Sequence, residues 1–146
     1  MKQKLSPPST PITARSIAKA SANSAKYSAG PKSSAILTSS LANQASGELR
    51  TTSSDWVRFE GLDNTNAGEI NNFGGQVDFS RDMTNQSGGF VGGRGQFVAD
   101  GGWTNAGVMF FTGTTDLLGD VVNDSGGQIV TSGFATTTFY DDLVHN

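Results

Sequence analysis

Paired carboxylates are the side chains of this sequence best suited to chemistry. Two neighbouring carboxyl groups can act as acid and base in the cleavage of glycosides or pectin. The candidate pairs are Asp78 with Asp82, Asp116 with Asp120, and Asp141 with Asp142. All lie beside turn glycines or threonines, where aspartate is common because its side chain bonds the turn backbone. A lyase would also need basic residues near the substrate carbon, and residues 41–146 contain only four scattered arginines. We therefore expect solvated turn residues and no enzyme.

Metal and cofactor sites are not expected. The chain has no cysteine, and its one histidine, His145, has no second histidine with which to form a zinc site. We expect His145 to be a solvated turn residue. Residues 92–97 (GGRGQF) begin like the calcium-binding nonapeptide of β-helices, but Phe97 occupies the position of the essential aspartate.

The two tryptophans, Trp56 and Trp103, are the most plausible carriers of a binding function. Both lie in or beside turn-rich segments, and an exposed indole can stack on a sugar or contact a protein. The competing interpretation is that they fill the interior of the fold, where large aromatic side chains are usually found.

These side chains belong to a repeat of about twenty residues. An apolar residue, a spacer and an asparagine recur, and the asparagines Asn43, Asn64, Asn85, Asn105 and Asn123 are 21, 21, 20 and 18 residues apart. A glycine follows four residues later in most units, at Gly47, Gly68, Gly89 and Gly127; in the fourth unit it comes early, at Gly107. Two residues after each glycine stands an apolar residue, such as Leu49 or Ile70.

Short alternating runs separated by glycine, asparagine and aspartate predict β-strands. A sandwich and a parallel β-helix remain possible, but only the β-helix requires equivalent residues to recur at one period. Stacked asparagines can form a hydrogen-bonded ladder, stacked glycines permit a corner with positive φ, and stacked apolar residues fill a narrow core. The sequence therefore favours an all-β, right-handed parallel β-helix of about five coils over residues 41–146, with a β-sandwich as the alternative.

Residues 1–40 differ in composition. They contain six basic residues and all four prolines but no acid, whereas residues 41–146 contain all thirteen acids. We expect a disordered Ser/Ala/Pro-rich leader that serves as a solvated linker; a targeting peptide and a nucleic-acid-binding arm are less favoured. The first residues lack the apolar core of a secretory signal, and no stretch is long and apolar enough to span a bilayer.

The phrases LDNTNAGEINNFGGQVDF, MTNQSGGFVGGRGQFV and VVNDSGGQIVTSGFATTTFYDD resemble the Asn/Gly-rich repeats of bacterial autotransporter and adhesin passenger domains. They are similar to those of large exported proteins of planctomycetes. The resemblance covers residues 41–146 and implies an exported, β-helical protein with a structural or adhesive role. Its closing phrase LVHN begins another unit, which suggests a fragment truncated at its C-terminal end.

From the repeat and the resemblance together we expect a non-catalytic structural or adhesive module, extracellular or at the cell surface. A carbohydrate-binding or polysaccharide-degrading β-helix is the alternative. The expected partners are glycans or other components of a host or neighbouring cell surface, together with end-to-end self-association. No cofactor and no nucleic acid are expected.

Overall fold

A computed structural model of the chain describes residues 26–28, 34–53 and 55–146. Within these ranges all regular structure is β-strand, and every strand pairing is parallel. The strands stack as a solenoid of about six turns, so the prediction of a parallel β-helix is confirmed over the sandwich. The expectation for residues 1–25 and 29–33 of the leader lies outside the described residues.

The strands form two sheets that run along the solenoid. The first sheet contains β1 (Lys26–Ser28), β2 (Ser34–Leu37), β4 (Glu48–Thr52), β5 (Trp56–Phe59), β7 (Glu69–Phe79), β9 (Phe90–Ala99), β11 (Val108–Leu118), β13 (Gln128–Thr131) and β14 (Thr136–Phe139). The second contains β3 (Ala42–Asn43), β6 (Asn64–Asn66), β8 (Met83–Asn85), β10 (Trp103–Asn105), β12 (Val121–Asn123) and β15 (Leu143–His145).

Each turn follows one path. In the second full turn, β6 of the second sheet leads through a tight corner into the long strand β7, which bends at Gly74 and Gly75 before continuing to Phe79. A short turn then leads to β8, directly above β6. Side chains alternate between the interior and solvent, as strand geometry requires.

The solenoid begins earlier than composition suggested. Strands β1 and β2 lie within the segment expected to be a disordered leader, and they pair with β4 and β5. Leu37 of β2 is 1% exposed and belongs to the apolar core. The boundary expected at residue 41 is therefore wrong for Ser34–Leu37, because a few apolar residues suffice when a neighbouring strand already offers its edge.

The interior is filled by columns of stacked apolar residues. One column contains Leu49, Ile70, Val91, Met109 and Ile129, in register from turn to turn. A second apolar region is aromatic: Phe59 stacks on Phe79 with ring centroids 5.4 Å apart. Each side chain is covered by its equivalents above and below, so a narrow interior still excludes water.

A ladder of asparagines runs through the second sheet. Each Nδ2 donates to the Oδ1 of the next asparagine, over 2.6–2.8 Å, along the series Asn43, Asn66, Asn85, Asn105, Asn123. The Nδ2 groups also donate to backbone carbonyls at the corner, as Asn85 does to Gly89 and Val108. These side chains are buried, and the ladder satisfies polar groups that would otherwise be costly inside the protein.

Asn64 is not part of this ladder, contrary to the sequence prediction. The structure pairs Asn43 with Asn66, and Asn64 lies opposite Met83 at the position that begins the strand. The cause is a difference in corner length. In three corners the glycine lies four positions after the asparagine, whereas in Asn66-Ala67-Gly68 and Asn105-Ala106-Gly107 it lies only two positions after it. A rule that required glycine four residues after asparagine therefore selected Asn64.

The corner glycines Gly47, Gly68, Gly89 and Gly127 stack as expected, but for a different reason. None has a positive φ; in two of the three longer corners the preceding glycine, Gly88 (φ 85°) or Gly126 (φ 95°), takes that conformation. A Cβ at Gly89 would instead lie 2.5 Å from Oδ1 of Asn85. Glycine is needed because the corner backbone packs directly against the asparagine ladder.

His145 extends the ladder from strand β15; it is exposed to solvent as expected, but it does not lie in a turn. It pairs with Asn123, and the two side chains are joined by a hydrogen bond of 2.8 Å between Nδ2 of Asn123 and Nδ1 of His145. The closing phrase LVHN begins another unit of the sequence repeat, and its asparagine, Asn146, lies one residue after this ladder position.

One buried hydroxyl gives a direct test of this interior. Oγ1 of Thr115 has no hydrogen-bond partner within the described part of the chain, whereas Oγ1 of Thr51 donates to Asn72 over 2.9 Å. Thr115→Val should stabilise the protein by about 1 kcal/mol, because it removes an unpaired buried polar group at equal volume. Thr51→Val should destabilise it by about 1 kcal/mol. Urea denaturation of both variants checks this, and a loss of stability in Thr115→Val would contradict it.

Candidate functional site

An outward groove follows the line where the first sheet bends. Its chemistry-bearing side chains are Trp56, Gln76, Gln96 and Asp116, which stand opposite one another on successive turns. Together with the bend residues they line an open groove of about 510 Å³. Because equivalent positions of a parallel solenoid stack, four residues about twenty positions apart in sequence form one straight row.

The groove is concave because small residues form its floor. Gly74 and Gly75 in one turn lie opposite the single residue Gly95 in the next, and the register shifts there. A Cβ at Gly75 would come within 2.5 Å of the Thr52 carbonyl, and one at Gly95 within 2.5 Å of the Gly75 carbonyl. Only glycine lets consecutive turns approach so closely at the bend, and its missing side chains leave the space above open.

Asn72 holds this floor from inside. Its Oδ1 accepts hydrogen bonds from the backbone N–H groups of Gly74 and Gly75, over 3.2 and 2.8 Å. Its Nδ2 donates to the carbonyls of Gly75 and Gln96, over 3.0 and 3.1 Å. Sequence reasoning missed Asn72, which lies outside the asparagine repeat. The available signal was an asparagine two residues after Ile70, on the inward phase of the strand.

The charged groups near the groove differ in their roles. Asp55 is buried, and its carboxylate accepts the N–H and Oγ1 of Thr52 at the bend, over 2.7 and 2.6 Å. Asp116 is half-buried in the groove and accepts a 3.4 Å hydrogen bond from Tyr140. Arg94 is exposed at the rim, where its Nε lies beside Gly74 and its stem beside Gly113. Two aspartates therefore line the groove, and Asp116 is the one with solvent access because Asp55 is only 3% exposed.

The structure separates the two tryptophans. Trp56 lines the groove with its indole partly exposed. Trp103 is 1% exposed, packs edge-on against Phe79 at 5.6 Å, and donates from Nε1 to the Leu118 carbonyl over 3.1 Å. The suggestion that Trp103 binds a partner is therefore wrong, because it stands at the first, inward-facing position of β10.

Four of the six carboxylates in the candidate pairs bind structural partners. Asp78 is bound by Arg58, whereas Asp82 is exposed in a turn. Oδ1 of Asp120 accepts a hydrogen bond from the N–H of Asp142. Asp120 lies far along the chain direction from Asp116, which is in the groove. Asp141 accepts the N–H of Gly119 over 2.8 Å. Each of these acids except Asp82 and Asp142 has a structural partner of its own.

Arg58 anchors an ion-pair cluster on the outer face of the first sheet. Its Nη1 lies 2.8 Å from both carboxylate oxygens of Asp78, and its Nη2 lies 3.3 Å from Asp100. The hydrogen bond to Asp78 is the main cause that raises the pKa of Arg58 above its ordinary value, against the opposing effect of burial. A raised pKa means that folding favours the charged guanidinium. This contribution to stability is present at all pH values below the ordinary pKa of arginine.

Arg58→Met should lower the free energy of unfolding by about 2 kcal/mol, because the Asp78 carboxylate, with a side chain only 7% exposed, loses its partner. Arg81→Met, at an exposed turn position, is the matched control and should change stability by less than about 0.5 kcal/mol. Chemical denaturation at neutral pH compares the two. Equal losses in both variants would contradict a specific role for the Arg58–Asp78 pair.

Comparison with models of known protein families, with curated proteins and with solved structures found no match for this chain. In the described ranges no group of three or more acidic or histidine side chains is arranged to hold a metal ion. The same residues include no helix of the length and apolarity needed to cross a membrane.

Proposed function

We propose that this chain is a non-catalytic adhesive or structural repeat module, working outside the cell or at the cell surface of a bacterium. The proposal is supported by the difference between the interior and the surface of the solenoid. The interior is a continuous stack of matched side chains, whereas the outer face bears an open groove with one partly exposed indole. A rigid stack that displays a surface suits adhesion or scaffolding better than turnover.

Two further observations support a non-catalytic role. The aspartates that could act in pairs bind separate structural partners, such as Arg58 for Asp78 and the Gly119 N–H for Asp141. The groove itself contains one carboxylate with solvent access, Asp116, whereas glycoside hydrolysis by the usual route uses two facing carboxyl groups.

Adhesion and catalysis can be tested with the full chain. Beads coated with the folded protein should retain bacterial cell-wall particles more strongly than beads coated with heat-denatured protein. The soluble protein should release no reducing ends or unsaturated products from a panel of plant and bacterial polysaccharides. Product release that Asp116→Asn abolishes would overturn the non-catalytic assignment. Retention no greater than that of the denatured control would overturn the adhesive one.

End-to-end self-association belongs to the same proposal. Strand β15 pairs with β12 alone among the described residues, and Leu143 and Val144 are 48% and 49% exposed. Strand edges with exposed apolar side chains favour pairing with another chain. The sedimentation coefficient should therefore rise with protein concentration, and Val144→Lys should reduce that rise. A monomer at every concentration would contradict self-association.

A further inference from the structure

The groove residues form a row with a regular spacing. Trp56, Gln76, Gln96 and Asp116 contribute one side chain per turn, and successive turns of a parallel stack are about 4.8 Å apart. That distance is close to the length of one pyranose unit in an extended polysaccharide. We propose that the groove binds a linear, neutral glycan that lies parallel to the solenoid axis, a proposal that rests on the adhesive function given above.

The groove side chains match the groups of a sugar chain. An indole face can stack on the apolar face of a pyranose, which Trp56 offers at one end of the row. The amides of Gln76 and Gln96 each provide donors and an acceptor for hydroxyl groups. The Asp116 carboxylate accepts charge-assisted hydrogen bonds from hydroxyls. A row with one stacking face followed by three hydrogen-bonding side chains suits a ligand with hydroxyls at every unit.

Other polymers fit the groove less well. An extended peptide that adds a strand needs a free sheet edge, but β7 and β9 beneath the groove are paired on both sides. A nucleic acid needs a basic surface, whereas residues 41–146 contain four arginines and thirteen acids, a net charge of −9.

The negative charge of residues 41–146 also disfavours the binding of acidic glycans. Asp116 places a carboxylate inside the groove, and Arg94 is exposed at the rim, beside Gly74 and Gly113. A polyuronate would bring one negative charge per sugar toward this carboxylate. A neutral chain meets no such repulsion.

Titration of the full chain with neutral oligosaccharides tests the proposal. The probes are cellohexaose and mannohexaose, with their disaccharides and with a galacturonate hexamer, in isothermal calorimetry. At least one neutral hexamer should bind, its affinity should exceed that of the disaccharide, and the galacturonate hexamer should bind more weakly. Trp56→Ala should weaken binding by about tenfold or more, because a stacking contact is lost. Trp56→Phe should restore most of that loss.

Matched variants separate the groove from general effects. Phe134→Ala removes a fully exposed aromatic outside the groove, and Gln128→Leu removes an exposed glutamine elsewhere on the first sheet. Both should bind as the parent does, whereas Gln96→Leu should lose several-fold in affinity. Circular dichroism should show all variants folded.

Three results would overturn the proposal: no binding of any neutral hexamer, equal effects of Trp56→Ala and Phe134→Ala, or tighter binding of the galacturonate hexamer that Arg94→Gln abolishes. The bead assay keeps this failure distinct from that of the adhesive function. Particle retention that survives Trp56→Ala would leave adhesion intact and place it on another surface. Hexamer binding without particle retention would remove the adhesive role and leave the glycan site.

Discussion

Replacing Asn85 with leucine should lower the free energy of unfolding by about 4 kcal/mol, a large share of the stability of an ordinary domain. Asn85 is fully buried at the centre of the ladder. It accepts from Asn66, donates to Asn105 over 2.8 Å, and donates to the carbonyls of Gly89 and Val108. Leucine has a similar volume but leaves several of these buried partners without a hydrogen bond. Urea or guanidinium denaturation measures the loss.

Asn71→Leu is the control for the Asn85 variant. Asn71 belongs to β7 but faces outward, where its Nδ2 donates to Glu69 over 3.1 Å at the surface. The same substitution there should change stability by less than about 0.5 kcal/mol. A loss of similar size in both variants would show that an asparagine of the ladder contributes no more to stability than a surface asparagine.

Trp103→Ala should cost about 3–5 kcal/mol, because it opens a cavity among Phe79, Phe97 and the neighbouring turns. The substitution also leaves the Leu118 carbonyl without the indole N–H that it accepts. We expect Trp103→Ala to unfold at a temperature well below the unfolding temperature of the parent protein. Where Trp103→Ala remains folded, its groove should bind ligand with unchanged affinity.

Trp56→Ala supplies the contrast between the two tryptophans. It should change stability by less than about 1 kcal/mol, since its indole is partly exposed at the outer face. The same denaturation experiment on both variants separates a core tryptophan from a surface tryptophan. Greater destabilisation by Trp56→Ala than by Trp103→Ala would contradict the assignment of Trp103 to the interior.

The architecture could be predicted because a parallel solenoid requires a repeat of constant length in the sequence. Equivalent residues must stack, so asparagine, glycine and apolar positions such as Ile70 and Val91 recur at nearly constant spacing. What the period could not provide was the register in each turn. Corner length varies by two residues between Asn66-Ala67-Gly68 and Asn85–Gly89, and a fixed spacing misplaced Asn64 by two positions.

The candidate site was predictable only in part. Trp56 was a correct choice for a residue with an accessible indole, yet nothing local in the sequence distinguished it from the buried Trp103. The distinction depends on which face of the strand each residue occupies. Trp103 is the first residue of β10 and faces the interior, whereas Trp56 is the first residue of β5 and faces outward. Nothing in the sequence marks Gln76 and Gln96 until the strand register places them in one row with Trp56.

Disulfide trapping tests the in-register parallel stack most directly, because the chain has no native cysteine. Thr84 and Thr104 are adjacent outward residues of β8 and β10, and partners in neighbouring strands have Cα atoms about 4.8 Å apart, within the range of a disulfide. Thr84→Cys with Thr104→Cys should form an intramolecular disulfide under mild oxidation. Thr84→Cys with Val122→Cys, two turns apart, should not. Failure of the first pair, or equal crosslinking in both, would contradict the solenoid.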